Sequence, residues 1–132
     1  MSKKIIGIGL ILSSAFMLTM IGCSKSTTVI EDNSPAITGT VSFSKDIQPI
    51  LTKSCALSGC HSGSVAPNLT SATAYNALTN GNFLSVGTPA NSLVYLWLTG
   101  KESATMPLGA TNNPSNINAL MLAWIKQGAK NN

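Results

Sequence analysis

The most concentrated run of apolar residues lies near the start of the chain. Lys3 and Lys4 precede a stretch of 17 residues, Ile5 to Ile21, in which only small or weakly polar residues interrupt the apolar ones, and Gly22 follows. A basic start, an apolar middle and a small residue at the end are typical of a secretory signal peptide. A run of this length is also at the lower limit for crossing a bilayer, so a permanent transmembrane helix is the alternative.

The end of this run resembles a bacterial lipobox, in which cleavage precedes a cysteine and that cysteine receives lipid. The sequence there is Met20-Ile21-Gly22-Cys23, so we predict a signal peptide over residues 1–22 and lipidation of Cys23. The residues that follow are mostly polar or small, which favours a flexible tether over residues 23–40. A short edge strand over Ala36–Val41 is the alternative for the end of this segment.

From residue 41 onward, which we take as the start of the folded domain, apolar side chains recur at helical spacing. The apolar positions of residues 47–51 fall at i, i+3 and i+4 and predict a short helix that leads to Cys55. Ser44 is a candidate N-cap for this helix. The regular helix is expected to begin nearer Pro49, because proline is tolerated in the first turn and breaks a hydrogen bond in the interior.

Three further helices are indicated by capping residues, apolar spacing and glycine stops. The second helix is capped by Ser71, passes Tyr75 and Leu78 and stops at Asn80-Gly81. The third opens at Asn91 or Ser92, covers Leu93–Leu98 and ends at Gly100. The last is capped by Ser115 or Asn116 and is followed by Gly128, and its apolar stripe consists of Ile117, Leu120, Met121, Trp124 and Ile125.

The predicted class is all-α, with about four short helices joined by long loops over residues 62–70 and 101–114. A domain over residues 41–132 has 92 residues, and helices of two or three turns bury only a modest core in a chain of that size. Loops of more than about 12 residues are uncommon unless they are functional. A large, flat, apolar cofactor around which helices and loops wrap would account for both features.

Charge gives little information about partners. All eight basic residues are lysines, and two of them fall in the predicted signal peptide, which leaves six lysines against four acidic residues, a balance of +2. Nucleic-acid binding would require a clustered basic patch, which the sequence does not contain. We therefore expect no nucleic-acid partner.

The candidate chemistry lies between Cys55 and His61. Two cysteines and the only histidine of the chain fall within seven residues, in the order Cys55, Cys60, His61. Cysteines followed at once by histidine can attach haem, since each thiol adds to a vinyl group and the imidazole then ligates the iron. A disulfide with an exposed histidine is one alternative, because nearby thiols rarely stay free outside the cytoplasm. Zinc is another, but it requires four protein ligands.

A single histidine excludes bis-histidine ligation within this chain. Two methionines remain after the signal peptide, Met106 and Met121. Met121 belongs to the apolar stripe of the last helix and is expected in the core. Met106 lies in an aperiodic loop before Pro107, so we predict that its thioether ligates iron opposite His61, in a pairing that raises the reduction potential. The alternative is that Met106 fills a gap in the core.

Most of the predicted domain resembles small exported cytochrome c domains, particularly the planctomycete-type group of bacterial surface and periplasmic proteins. The similar segments, in order, are residues 44–51, SKDIQPIL; residues 66–69, APNL; residues 89–95, PANSLVY; Met106-Pro107; and residues 123–129, AWIKQGA. The resemblance implies one covalent haem c per chain, with attachment at Cys55 and Cys60, His61 and Met106 as iron ligands, and electron transfer as the activity. It also implies that the Pro67 carbonyl accepts the second ring N–H of His61.

The chain departs from the usual C-x-x-C-H signature because four residues separate its cysteines. Gly59, directly before Cys60, would ease an unusual backbone turn there. We expect a monomeric, lipid-anchored electron carrier of the cell envelope, on the periplasmic or outer-membrane face, that serves redox partner proteins and is not an enzyme. The alternatives are a cofactor-free lipoprotein stapled by a disulfide, and a haem peroxidase, for which only Glu102 lies near Met106 as a distal acid.

Overall fold

The computed structural model describes residues 36–102, 106–108 and 115–132, with the side chain of Ser115 left out. The predicted signal peptide, the lipidation site Cys23 and most of the tether lie outside these residues. Within the described part of the chain, no helix has the length and apolar character needed to cross a membrane.

The described residues form helices and loops, with no strand among them. A π-helical segment, Phe43–Ile47, continues directly into α1, Gln48–Ser54; α2 covers Ala74–Asn80; a 3₁₀ turn over Pro89–Asn91 precedes α3, Leu93–Leu98; and α4 covers Ser115–Lys126. The predicted all-α class is therefore confirmed for this part of the protein. The alternative of an edge strand over Ala36–Val41 is wrong.

The start of the first helix differs from its prediction. The cap is Ser42 rather than Ser44: its Oγ accepts a hydrogen bond from the Lys45 N–H at 3.3 Å, and the carboxylate of Asp46 accepts one from the Ser42 N–H at 2.7 Å. This reciprocal arrangement satisfies two backbone donors that a helix start leaves unpaired. The α-helical part begins at Gln48, with Pro49 in its first turn as predicted.

The second and third helices match their predicted ends more closely than their predicted caps. Helix α2 stops at Asn80 before Gly81, but its N-cap position is occupied by Thr73 and not by Ser71, and the Thr73 side chain makes no capping bond. Helix α3 has the predicted bounds and follows Ser92. The hydroxyl of Ser92 makes no capping bond and instead accepts from the N–H of Ser85 at 2.9 Å, so it holds the preceding loop.

Helix α4 supplies the centre of the core. Trp124 and Ile125 are completely buried and Met121 is 1 % exposed, as the predicted stripe requires. The ring of Trp124 lies 5.2 Å from that of Phe43, and the ring of Phe43 lies 5.3 Å from that of Tyr75. The indole N–H of Trp124 donates to the carbonyl of residue 130 at 2.9 Å, so its one polar atom is paired inside the core.

The end of α4 also binds the start of the described chain. The side-chain amide of Gln127 accepts from the Val41 N–H at 2.8 Å and donates to the Gly39 carbonyl at 2.9 Å. Ile37 packs against the core as well. Contacts with the domain therefore begin before residue 41, the predicted start of the folded part.

Candidate functional site

An apolar cavity lies between α1, α3, α4 and the loop that follows α1. It encloses about 570 Å³ of empty space, part of which is open to solvent. Its walls are formed by Ile50, Leu51, Cys55, His61, Pro67, Leu69, Leu78, Phe83, Val94, Trp97, Leu98, Met106, Ile117 and Met121. None of the described residues that line the cavity carries a charge, so the cavity suits an apolar ligand held by a few polar or soft atoms.

The cavity brings together four of the five residues that we predicted to bind a cofactor. Cys55, His61, Pro67 and Met106 line it, although Met106 is 45 positions from His61 along the chain. Cys60 is the exception, since it is exposed and does not contribute to the wall.

The loop after α1 positions His61 through backbone hydrogen bonds. The His61 N–H donates to the Cys55 carbonyl at 3.1 Å, and the His61 carbonyl accepts from the Leu69 N–H at 2.8 Å. The Leu69 carbonyl in turn accepts from the side-chain amide of Gln48 at 3.3 Å, which ties the loop to α1. His61 is thus fixed at both its N–H and its carbonyl.

The imidazole ring is oriented by two carbonyl oxygens. Nδ1 of His61 lies 3.1 Å from the carbonyl oxygen of Pro67 and 3.3 Å from that of Val65. Carbonyl oxygens only accept hydrogen bonds, so Nδ1 must carry the proton. The neutral ring then has its lone pair on Nε2, which is the form that ligates a metal ion.

The two thiols of the loop are both free and have different environments. Cys55 is partly buried and packs against the core. Burial, and in second place the negative charge of Cys60, raise the pKa of the Cys55 thiol. Gly59, which directly precedes Cys60, has φ +78°, in the left-handed region, and so permits the unusual turn expected at this point.

Met106 is held beside the end of α3. Its N–H donates to the carbonyl of Trp97 at 3.1 Å, and its side chain is partly buried in the cavity wall. Helix α3 therefore contributes both a wall, through Val94, Trp97 and Leu98, and an attachment point for the segment that carries Met106.

Several wall residues were not predicted as part of a site. Met121 lines the cavity in addition to its core position, and Trp97 forms part of the wall, whereas Trp124 lies outside it. The i, i+3, i+4 spacing of Val94, Trp97 and Leu98 is a signal that could have identified their shared face. Phe83 carries no such signal, because it lies in a loop without a period.

Comparisons with known proteins leave the site to be interpreted on its own geometry. No protein-family model, no curated protein and no solved structure matches the chain. Within the described residues, no group of three or more His, Cys, Asp or Glu side chains is placed to hold a metal ion.

Proposed function

We propose that this domain binds one haem c covalently in the apolar cavity and carries single electrons between redox partner proteins of the cell envelope. The observation that carries the proposal is the state of His61. His61 lines the cavity, and two carbonyl oxygens hold the proton on its Nδ1, which leaves the lone pair for ligation on Nε2. Met106 and Cys55 line the same cavity.

The lining of the cavity fits the chemistry of such a group. The wall is built from aliphatic, aromatic and sulfur-containing side chains, which match an apolar macrocycle. A haem would also add apolar contacts to the core of a domain whose helices have only 6 to 12 residues. By this proposal the helices and loops form a cytochrome c-like domain.

Each cavity residue then has a distinct role. His61 would bind iron through Nε2, and the carbonyl of Pro67 fixes the ring and increases its basicity. Met106 would supply the second iron ligand, and this pair of ligands favours the ferrous state. Cys55 and Cys60 are the residues available for covalent attachment. Haem supplies an iron that alternates between ferrous and ferric states, and no bond-making step is required of the protein.

The apolar walls contribute to this activity by excluding water. Phe83, Val94 and Ile117 line the cavity from three separate parts of the chain. The described residues of the wall are uncharged and would disfavour the more positively charged ferric site, so they would act in the same direction as Met106. Glu102, the only acid that the sequence placed near Met106, is exposed and lies outside the wall. A peroxidase would need this distal acid beside the iron, so the position of Glu102 outside the wall favours an electron carrier.

The location of the activity follows from the N-terminal sequence. A signal peptide over residues 1–22, lipid on Cys23 and a tether would place a monomeric domain at a membrane surface in the periplasm or on the outer membrane. The partners would then be redox proteins that reach the same surface.

A haem stain tests the proposal directly. The full chain, with its own signal peptide, is produced in a bacterium that matures c-type cytochromes and is run on a denaturing gel. We expect peroxidase-type staining of the band and a reduced-minus-oxidised spectrum of a low-spin cytochrome. A variant that lacks both Cys55 and Cys60 should lose the stain. An unstained wild-type band, from cells that stain a control cytochrome, would refute the proposal.

The second candidate is a cofactor-free lipoprotein stapled by a disulfide between Cys55 and Cys60. It is favoured by one observation, because the charge of Cys60 raises the pKa of Cys55 and the two sulfur atoms therefore lie within electrostatic reach. Intact mass distinguishes the candidates. A disulfide removes two hydrogen atoms from the chain, whereas the haem protein is heavier by the mass of the cofactor.

A further inference from the structure

The two cysteines of the loop differ in their relation to the cavity. Cys55 lies at the end of α1, packs against the core and forms part of the cavity wall. Cys60 is exposed and is absent from the wall. The same cavity is lined by His61 and Met106, so Cys55 is the cysteine of the pair that lies at the site of the proposed cofactor.

Backbone hydrogen bonds keep Cys60 on the outside. The Cys60 N–H donates to the Leu57 carbonyl at 2.9 Å, and the Cys60 carbonyl accepts from the Val65 N–H at 3.1 Å. The turn between Leu57 and Cys60 passes through Gly59 with positive φ. This turn accommodates the two residues by which the loop exceeds a C-x-x-C-H motif.

The hydrogen bonds of Cys60 and His61 oppose a movement of Cys60 from the surface into the cavity. Rotation of the Cys60 backbone toward the cavity would break its bonds to Leu57 and Val65. It would also displace the next residue, His61, whose N–H is bonded to the Cys55 carbonyl at 3.1 Å and whose ring is bonded to Pro67. The iron ligand and an inward-facing Cys60 are therefore in competition.

We infer that the haem is attached through a single thioether at Cys55, and that Cys60 keeps its thiol at the protein surface. The inference rests on the proposed function and specifies how the cofactor is held. In the attachment step, the sulfur of Cys55 bonds to the vinyl carbon next to the porphyrin ring. The thiol hydrogen ends on the outer vinyl carbon, and the carbon–carbon double bond becomes single. The step needs no oxidant or reductant, and the second vinyl group is unchanged.

The wild-type holoprotein provides the primary test, which does not depend on how a variant folds. The purified full-length protein is reduced with a mild phosphine, denatured and alkylated, and its peptides are then mapped. We expect one haem on the Cys55 peptide and one alkyl group on Cys60. A pyridine haemochrome spectrum should show the α band of a haem with one vinyl group left. Alkylation of neither cysteine together with the spectrum of a haem with two saturated vinyl groups would overturn the inference.

Single variants give a second, independent readout. C60S should retain the haem stain at wild-type intensity on a denaturing gel, whereas C55S should lose the stain. Loss of the stain in C60S, or its retention in C55S, would overturn the inference. Failure of the proposed function is distinct from both results, because the wild-type band would then carry no haem.

Discussion

The carbonyl oxygen of Pro67 lies 3.1 Å from Nδ1 of His61, across a cavity-lining loop in which both residues belong to the wall. A backbone acceptor holds this ring more permanently than a side chain would, because it neither titrates nor rotates away. It leaves Nε2 as the one ring atom that can bind a ligand. The orientation of the His61 ring is therefore set by the local backbone of the loop.

Replacement of His61 by alanine should remove the axial ligand and leave the covalent link in place. We expect H61A to stain for haem but to lose the low-spin absorption spectrum, and millimolar imidazole should restore that spectrum by entering the emptied position. An unaltered low-spin spectrum in H61A without imidazole would contradict the assignment of His61.

Met106 and Met121 line the same cavity, and they allow a matched comparison. M106A should lower the reduction potential and remove the methionine–iron charge-transfer band, because the thioether ligand is lost. Since Met106 is only partly buried, its truncation should cost little stability. These changes are measured by potentiometric titration and near-infrared absorption.

M121A is the control for that comparison. Met121 is 1 % exposed on α4, so its truncation leaves a cavity and should cost about 2–5 kcal/mol in the free energy of unfolding. The charge-transfer band should remain. If M121A loses the band and M106A keeps it, Met121 is the ligand.

The Cys55 thiol of the reduced, cofactor-free protein should be alkylated less readily than the same thiol in an unfolded peptide. Burial first, and the charge of Cys60 second, raise the pKa of Cys55, so at any given pH its thiolate fraction is smaller than that of an ordinary thiol. We expect the pH at which Cys55 begins to react with iodoacetamide to lie above that of a short unfolded peptide carrying the same cysteine. Peptide mapping of a time course at several pH values measures this.

The same protein gives a control and a linked effect on stability. C60S removes the minor cause of the shift, so the reaction of Cys55 should move slightly toward lower pH and stay above that of the peptide. A raised pKa in the folded state also means that stability is intact below the thiol's unfolded pKa of about 8.5 and falls as pH rises through the folded value. Equal alkylation profiles for folded protein and peptide would refute the burial of Cys55.

Gly59 should be required for its backbone conformation and not for space. A methyl group at this position would meet no atom within 4 Å, but φ is +78°, so G59A should cost about 1–2 kcal/mol through strain alone. G87A is the matched control, since it also meets nothing within 4 Å and has no positive φ. Urea unfolding of both variants measures the difference. Equal stabilities would show that the turn adapts.

The helices were predictable because their information is local. Apolar spacing and the breaks at Gly81 and Gly100 placed α2 and α3 nearly at their observed bounds. The caps were less predictable, because several hydroxyl residues precede each helix and the choice among them depends on distant contacts. Ser44 could have capped the first helix, but its N–H and hydroxyl bond the main-chain oxygen of Asn132, 88 residues away.

The candidate site was predictable in its chemistry and not in its walls. His61 and Met106 stood out because a lone histidine beside cysteines and a methionine without a packing period call for an explanation. Their shared cavity required the fold. Phe83 lines the wall from a loop, whereas a turn places Cys60 outside the wall. No periodic pattern in the sequence indicates either position. Packing of distant segments decides both.

The amide of Gln127 has a mechanical consequence. It is hydrogen-bonded to the chain at Gly39 and Val41, so tension applied to the N-terminal side is shared between the backbone and the end of α4. Helix α4 is anchored by the fully buried Trp124 and Ile125, so it passes that load into the centre of the core. The loop that carries Cys55, His61 and Pro67 lies further along the chain than these two contacts. The leading segment is therefore tied to the core at a point separate from the loop that orients His61.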